Sequence, residues 1–209
     1  MVNRAENAKK RILEAAEQEF SEKGLYGARV DEIAARAGIN KRMLYAYFGN
    51  KEQLYITVLE AVYARLAELE ALAPHDGSLG AAESIRALIY RYFEFLHSTP
   101  SFVRIVMWEN LNGAEYLRLS GASEIRGAGL SALREALHTG VENGDFRPDT
   151  DVESTLLSIN QLCFSYFSNI HTFTEILHKD LSAREAMERR AEHTAQLILS
   201  YLKSRGHFE

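Results

Sequence analysis

Residues 30–48 read VDEIAARAGINKRMLYAYF, and this stretch decides the fold of the N-terminal part of the chain. Over residues 30–37, apolar side chains recur with the spacing of one helix face. Gly38 interrupts that pattern, and Asn40 is a favourable N-cap for a second short helix over residues 41–48. Two short helices joined through a glycine predict a helix-turn-helix.

The second helix of such a unit lies in the major groove of DNA and contacts bases with residues near its N-terminus. In this chain those residues are Lys41, Arg42 and Met43. Lysine and arginine pair with phosphates or with guanine O6 and N7, and methionine offers an apolar contact to a thymine methyl group. Tyr45 and Tyr47 are short donors for a phosphate or a base edge. The alternative is that the aromatic residues of this helix are ordinary core, since short helices joined by glycine also occur in other helical proteins.

Two further expectations concern the ends of this unit. Leu44 and Phe48 are four residues apart, so they are expected to face the core together. Lys51 begins the next helix, whose free N–H groups form a natural phosphate site. The basic residues of the N-terminal tail are candidates to reach a flanking phosphate or a minor groove: Arg4, Lys9, Lys10 and Arg11.

The rest of the chain is also helical in pattern. Only three prolines occur, and the period-2 apolar alternation of strands is absent. Further helices are predicted over residues 7–23 with Gly24 as the C′ residue, and over 51–72, 82–97, 101–111, 124–142, 151–178 and 183–203. The predicted fold class is therefore all-α, with about nine helices. A three-helix head, residues 1–51, is joined by the fourth helix to a larger helical body, residues 52–209.

Charge is distributed unevenly between these two parts. The net charge is −5, but residues 1–51 carry ten Lys+Arg against seven Asp+Glu, whereas residues 52–209 carry fourteen against twenty-two. Attraction to phosphate is therefore confined to the head. Cys163 is the single cysteine, so no disulfide forms within the chain. No apolar run approaches a membrane span and the first residues lack a signal-peptide core, which predicts a cytoplasmic protein without a membrane partner.

Residues 8–55 resemble the N-terminal domain of the TetR family of bacterial transcriptional regulators. The matching residues occur in the family's order and spacing: Ile12 to Phe20, Gly24 to Val30, Asp31 to Ala34, Ala37 to Ile39, Leu44-Tyr45, Tyr47-Phe48, Lys51-Glu52 and Leu54. Two positions depart from the family pattern. Arg29 stands where a Thr or Ser usually caps the second helix and touches a phosphate, and Ala46 stands where a His or an aromatic residue is common.

The resemblance implies a function and assigns site residues. It implies a ligand-responsive repressor that binds a pseudo-palindromic double-stranded DNA operator as a homodimer and is released by a small-molecule effector. It implies that Lys41, Arg42, Met43 and Tyr45 face the DNA. Tyr47 and Lys51 would hold phosphates, and Arg29 would itself pair with a phosphate in place of the missing cap.

The last two predicted helices are the candidates for the dimer interface that the resemblance implies. Each carries an apolar stripe, and the alanines of the final helix would permit a close approach. The predicted interface residues are Leu156, Ile159, Cys163, Met187, Ala191, Ala195, Leu199 and Leu202. The alternative is that these stripes only close the core of the single chain.

The body is rich in large side chains, and the resemblance implies an effector pocket among them. A ligand pocket needs mostly apolar walls and a few polar groups. The candidates are Phe93, His97, Phe102, Met107, Trp108, Leu111, Asn160, Tyr166 and Phe167. The alternatives are that these aromatic residues are ordinary core and that the protein binds DNA without any ligand.

A metalloenzyme is the alternative class of protein, because Glu-x-x-His occurs three times, at Glu94/His97, Glu135/His138 and Glu175/His178. Two such motifs with two further glutamates build a di-iron site in a four-helix bundle. Helical spacing, however, places these glutamates away from the apolar stripes, so they are expected to face solvent. Cys163 is interpreted as a small core residue rather than a nucleophile. No catalytic site, metal site or cofactor is therefore predicted.

Overall fold

The structure is a computed structural model that describes residues 4–71, 79–122, 124–125 and 130–203. Within these residues eleven α-helices are delimited and no β-strand occurs. They are α1 Arg4–Gly27, α2 Val30–Ala37, α3 Lys41–Phe48, α4 Lys51–Ala71, α5 Ala81–Ser98, α6 Pro100–Leu111, α7 Glu115–Leu119, α8 Ser131–Glu142, α9 Val152–Ser168, α10 Ile170–Leu177 and α11 Arg184–Lys203. Residues 122 and 124–125 are helical as well. The predicted all-α class is confirmed. The first part of the helix predicted over 124–142 includes residues 126–129, which lie outside the described residues.

The chain forms two compact units. Unit 1 comprises Met1–Arg65 and Pro100–Ile125, and unit 2 comprises Leu66–Thr99 and Arg126–Glu209. Unit 1 thus contains the predicted head together with most of α4 and with α6 and α7. The chain passes from unit 1 to unit 2 within the continuous helix α4.

The core of unit 1 is built on the stripe of α1 that the sequence indicated. Ile12, Ala16 and Phe20 are completely buried, as their four-residue spacing predicts. The ring of Phe20 meets Tyr55 of α4 edge-on, with 5.0 Å between centroids. Leu44 of α3 is also completely buried. These contacts hold the short helices, which are too short to be stable in isolation.

Helix α1 changes direction at Gly24, which has φ 66°. A glycine was expected to end the helix at this position, and its left-handed conformation agrees with that expectation. The indole of Trp108 on α6 covers the glycine so closely that a Cβ there would lie 2.9 Å from the ring. The indole N–H also donates to the Ser21 carbonyl at 3.2 Å. Packing of α6 on α1 therefore depends on a glycine at position 24.

Helix α7 lies within residues 112–123, where the sequence pattern assigns no secondary structure. Glu109 of α6 is buried, and its carboxylate accepts a hydrogen bond from the Leu117 backbone N–H at 2.9 Å. The same carboxylate accepts the hydroxyl of Tyr55, and burial together with Glu109 raises the pKa of that hydroxyl. A buried carboxylate needs such donors. The short helix is therefore held by a tertiary contact that no local pattern indicates.

In unit 2, α5 packs against α8, α9 and α11. Its buried stripe includes Ile85, Ile89 and Leu96, as predicted. A second set of contacts runs along α11: Glu192 accepts hydrogen bonds from Arg86 and from the Tyr90 hydroxyl. Hydrogen bonds from α5 to Glu192 thus join α5 and α11 beside the buried stripe.

The helix predicted over 151–178 is interrupted, and the single-helix prediction is wrong. It divides at Asn169 into α9 and α10. The side-chain amide of Asn169 donates to the Ser165 carbonyl at 3.0 Å, and its backbone N–H bonds to the same oxygen at 3.2 Å. Asparagine competes with helical hydrogen bonding in this way. Neither glycine nor proline marks the break, so the apolar period alone did not reveal it.

None of the helices in the described parts of the chain combines the length and the apolar character needed to cross a bilayer.

Candidate nucleic-acid interface

Helix α3 is anchored on one side and open on the other. Asn40 caps it, accepting a hydrogen bond from the Met43 backbone N–H at 2.8 Å. This confirms the predicted N-cap. Leu44 is completely buried, whereas Lys41, Arg42, Met43 and Tyr45 are exposed. The four residues proposed to face DNA therefore lie at the accessible start of the helix, where a recognition helix contacts bases.

Leu44 and Phe48 were expected to face the core together, and only Leu44 is completely buried. Phe48 is half-buried rather than enclosed like Leu44. Tyr47 is also half-buried, and the ammonium group of Lys9 on α1 lies 5.7 Å from its ring centroid. This cation–π contact brings a positive charge from α1 beside α3.

A basic groove lies between α1 and the turn of the helix-turn-helix. It has a volume of about 820 Å³ and is lined by Arg4, Ala5, Ala8, Arg11, Gly38, Ile39, Asn40, Met43 and Tyr47. The lining contains two arginines and no acidic residue. Positive charge beside the start of α3 favours a phosphate backbone. Of the predicted DNA-facing residues, the structure places Met43 and Tyr47 in this groove.

Two of the predicted cations make contacts within the chain. Lys41 forms an ion pair with Asp31 of α2, with 3.0 Å between Nζ and Oδ1. The hydrogen bond to Asp31 and the charge of its carboxylate raise the pKa of Lys41. Lys51 donates to the Ala28 carbonyl at 3.3 Å, which joins the start of α4 to the loop before α2. Arg42 and Arg29 remain exposed.

The start of α2 is held by a residue of another helix. Arg29 occupies the N-cap position without a side-chain cap hydrogen bond. Its backbone N–H instead donates to the carboxylate of Glu19 on α1 at 3.2 Å. Glu19 is completely buried and also accepts a hydrogen bond from Lys23 at 2.8 Å. Sequence reasoning missed Glu19 because it lies ten positions before Arg29 and its role is visible only when α1 and α2 are packed.

The electrostatics around Glu19 favour its ionised form. Burial alone would raise the pKa of the carboxyl group, but the hydrogen bonds from Lys23 and Arg29 and the charges of Lys23 and Arg36 hold it below its ordinary value. Arg36 lies on α2, 3.7 Å from the second carboxylate oxygen. Glu19 thus binds groups from both helices that support α3.

The predicted effector residues fall into the two units. In unit 1, Phe102 is buried edge-on against Tyr63, and Trp108 covers Gly24. Met107 is exposed, and Leu111 is 76% exposed. Phe102 is therefore a core residue of unit 1, and Trp108 packs α6 on α1. Met107 and Leu111 lie on the surface.

In unit 2, three predicted effector residues form one aromatic cluster. Phe93 lies 5.8 Å from Tyr166 and 5.6 Å from Phe167, measured between ring centroids. Asn160 accepts a hydrogen bond from the Tyr92 hydroxyl at 3.4 Å and lines a cavity of about 20 Å³. His97 is exposed. Tyr166 also lines a larger cavity of about 430 Å³.

The predicted interface residues lie inside the single chain. All eight are buried in the core of unit 2: Leu156, Ile159, Cys163, Met187, Ala191, Ala195, Leu199 and Leu202. Their stripes face neighbouring helices of the same chain and have little surface left for a partner. The exposed apolar residues of the same helices include Leu157 on α9 and Leu197 on α11.

The three Glu-x-x-His pairs lie on the surface, as their helical positions predicted. Glu94, Glu135 and Glu175 are exposed, as are the three histidines. Glu94 forms an ion pair with Arg184 at 3.2 Å. Among the described residues, no group of three or more histidine, cysteine or carboxylate side chains is arranged to hold a metal ion.

Two family models match the chain. The model described as bacterial regulatory proteins, tetR family, matches residues 12–58, and the model described as tetracyclin repressor-like, C-terminal domain, matches residues 82–198. Among curated proteins, HTH-type transcriptional repressor NicS of Pseudomonas putida is 34% identical over 183 residues, which is 87% of this chain and 86% of that protein. HTH-type transcriptional repressor SCO4008 of Streptomyces coelicolor is 40% identical over 111 residues, 53% of this chain and 52% of that protein.

Solved structures share the fold. The transcriptional regulator FadR from Bacillus subtilis, in complex with stearoyl-CoA, has a TM-score of 0.73 at 21% identity and covers 92% of this chain and 98% of its own. The ketosteroid transcriptional regulator KstR2 of Mycobacterium tuberculosis has a TM-score of 0.71 at 22% identity and covers 98% of this chain and 97% of its own. With family models over both the head and most of the body, and a relative similar over nearly the whole chain, this protein belongs to the tetR family of bacterial regulatory proteins and is a DNA-binding transcriptional regulator.

Proposed function

We propose that this regulator is a repressor that binds a pseudo-palindromic DNA operator as a homodimer and is released by a small-molecule effector. The observation that carries the proposal is the geometry of α3. Its buried Leu44 orients Lys41, Arg42 and Tyr45 outward, beside a groove that contains Arg4 and Arg11. Relatives named as transcriptional repressors support the direction of regulation.

The contacts have distinct roles in this proposal. Arg42 is exposed at the start of α3, so it is assigned to a base edge. Lys41 is shared with Asp31, which makes it a weaker phosphate contact than its position suggests. Arg4 and Arg11 line the neighbouring groove and are assigned to the phosphate backbone, where contacts position the protein without reading sequence.

A homodimer follows from the requirements of DNA recognition and from the surface of unit 2. One helix-turn-helix reads one half-site, and two-fold dimers read two half-sites about one helical turn apart. Leu157 is 58% exposed and Leu197 is 46% exposed. They lie on α9 and α11, which pack against each other. These exposed residues replace the buried stripes as the proposed dimer surface.

An effector would act by shifting the population of conformations. A hundredfold loss of operator affinity needs a coupling free energy of about 2.7 kcal/mol, which lies within the usual range. Helix α4 is the proposed lever because it starts beside α3 and continues into unit 2. The FadR neighbour that was solved with stearoyl-CoA supports a ligand-binding body.

Selection of bound DNA from a random pool tests the proposal. We expect enrichment of a site with two inverted half-sites. An asymmetric site, or no enrichment, would contradict the dimeric operator complex. The enriched DNA would then serve to screen small molecules for release.

The role of Arg42 can be tested on that DNA. If Arg42 reads a guanine, Arg42→Ala should weaken binding by about 1–3 kcal/mol and relax the preference at one position of each half-site. The matched control is Arg104→Ala, the same charge change on the exposed side of α6. An equal loss of affinity on all sequences would move Arg42 to a phosphate contact.

A further inference from the structure

Unit 2 contains a partly open cavity of about 430 Å³ beside Tyr166. It lies among the end of α9, helix α10, the connection over 178–183 and the start of α11. Its volume falls within the range of small-molecule sites, roughly 300–1,000 Å³. The cavity beside Asn160, at about 20 Å³, has room for about one water molecule. Of these two cavities, only the larger one has the size of a ligand site.

One wall of this cavity is apolar. It is formed by Tyr166, Phe173, Leu177, Leu181 and Ala186. Phe173 is 48% exposed and Leu177 is 51% exposed, so a large part of their apolar surface is not covered by the chain itself. Burying such surface against a ligand is favourable. This wall fits an apolar or aromatic group.

The connection that closes the cavity is held in place by hydrogen bonds. The Tyr166 hydroxyl donates to the Leu181 carbonyl at 2.6 Å. The Lys179 backbone N–H donates to the Thr174 carbonyl at 3.2 Å, after a left-handed turn at His178 with φ 51°. These bonds fix the shape of the cavity before any ligand enters, which reduces the ordering cost of binding.

The other wall is cationic. Lys179, Arg189 and Arg190 line the cavity, and no lining residue is acidic. Arg189 lies 3.5 Å from Glu185, which shares its charge. The carboxylate of the neighbouring Asp180 accepts a hydrogen bond from the Ser182 hydroxyl at 2.6 Å. The three cations of the wall outnumber these two carboxylates, so the wall carries a net positive charge.

Arg190 is the cation best placed to bind a ligand. It is half-buried and has no carboxylate partner in the described residues. Its charge acts on the buried Cys163 thiol and on Tyr166, opposing the rise in pKa that burial causes at both groups. Arg190 lines the same cavity as Tyr166. A partly buried cation without a partner is costly, and a carboxylate satisfies it with two parallel hydrogen bonds.

We propose that this cavity binds a small amphipathic carboxylate, with its anionic group on Arg190 and its apolar body against Phe173 and Leu177. A neutral ligand would leave Arg190 unpaired, and inorganic phosphate would leave the apolar wall uncovered. The assignment rests on the proposed effector-responsive function and specifies the chemical class of the effector. Because α9 and α11 also carry the proposed dimer surface, occupancy of this cavity would act on the helices that pair the two chains.

Calorimetric titration of the full-length protein tests this site. The probes are hexanoate, benzoate and 2-naphthoate, each paired with its neutral amide. We expect at least one carboxylate to bind and its amide to bind at least about tenfold more weakly, since a charge-assisted pair is lost. Arg190→Gln should weaken the carboxylate by a similar factor, and Arg190→Lys should retain part of the affinity. The matched control Arg184→Gln, on the same helix but outside the cavity, should bind as the unaltered protein does.

Several results would overturn the site. They are the absence of binding by all three carboxylates, equal binding of acid and amide, or unchanged binding in Arg190→Gln. A thermal melt shows whether Arg190→Gln is folded, and Lys179→Gln, at an exposed position, gives an independent variant expected to weaken binding. Operator release is measured on the same samples. Binding without release leaves the site in place and contradicts its role as effector site. Release by another compound, with Arg190 irrelevant, supports the effector-responsive function and removes this site.

Discussion

The carboxylate of Glu19 is buried where α1 meets α2, and it binds the backbone N–H of Arg29 and the ammonium group of Lys23. It contacts no exposed part of α3, so its role is positioning. Arg29 lacks the hydroxyl that caps a helix, and Glu19 supplies an acceptor to the N–H at that position. At the residue scale, the position that departs from the family pattern is thus held through its backbone by a residue on another helix.

Replacing Glu19 by glutamine should lower the free energy of unfolding by about 1–3 kcal/mol, because a charged acceptor in a buried network is lost. The change is measured by urea unfolding at neutral pH and fixed protein concentration. The matched control is Glu22→Gln, an exposed glutamate on the same helix that also faces Arg36, at 3.7 Å. It should change stability by less than about 0.5 kcal/mol. Equal losses in both variants would contradict the positioning role of Glu19.

The pH dependence of the same variant provides a second check. The pKa of Glu19 in the folded protein lies below its ordinary value of 4.5. Its stabilising contribution is therefore complete above that value and is lost as the pH falls through the folded pKa. The difference in stability between the unaltered protein and Glu19→Gln should be largest near neutral pH and should narrow in acid.

The ion pair with Asp31 is expected to reduce the contribution of Lys41 to DNA affinity. The ion pair between them is exposed and must be exchanged for a phosphate contact when DNA binds. Asp31→Asn should raise affinity for DNA of any sequence and steepen its salt dependence by about one released counterion. Filter binding at several salt concentrations measures both effects. Glu32→Gln, the adjacent exposed acid on α2, is the control. If it has the same effect as Asp31→Asn, the general loss of negative charge is responsible, and the ion pair is not.

At the scale of elements, α3 is eight residues long and depends on its cap and on one buried anchor. Asn40 satisfies the Met43 N–H, and Leu44 holds the helix against the core of unit 1. A helix this short gains its stability from such contacts. The exposed face is then free to carry residues chosen for DNA.

Asn40→Ala should destabilise the protein by about 1 kcal/mol, since the cap acceptor is lost. Asn40→Asp retains the cap and should leave stability nearly unchanged, but it places a negative charge in the basic groove. It should therefore weaken DNA binding more than it changes unfolding. The two variants are compared by thermal unfolding and by operator binding. An aspartate variant that binds DNA as tightly as the unaltered protein would contradict the location of the interface.

At the scale of the whole molecule, two chains are needed to read two half-sites. The exposed apolar residues of unit 2 are proposed to join them. Leu197→Glu or Leu157→Glu places a charge in that surface and should shift the protein towards monomer. Sedimentation measures the mass, and operator binding should fall in parallel.

The control for this change lies in unit 1. Leu119 is more exposed than Leu157 and Leu197 of the proposed dimer surface, and Leu119→Glu should leave the dimer intact. A monomeric unaltered protein that still binds the full operator would contradict the dimer proposal. Unchanged mass in both Leu197→Glu and Leu157→Glu would place the dimer surface elsewhere.

The sequence by itself determined the all-α class, the helix-turn-helix and the exposed residues at the start of α3. These features rest on local signals: a 3.6-residue apolar period, a glycine break at Gly38 and a cap at Asn40. The stripe of α1 was predicted for the same reason. The residues proposed to read DNA therefore follow from the order of amino acids within residues 30–48.

Only the tertiary structure decided which surfaces those helices bury and which groups meet. An apolar stripe shows that a face is buried and does not show what covers it, so the stripes of Leu156 and Ala195 were assigned to a partner although the chain buries them itself. The Glu19–Arg29 hydrogen bond and the Asp31–Lys41 ion pair each join residues ten positions apart that belong to, or directly precede, different helices. At the break between α9 and α10, the side-chain amide of Asn169 donates a hydrogen bond to the Ser165 carbonyl. The first two contacts form only when separate helices pack together, which is why the pattern along one helix did not reveal them.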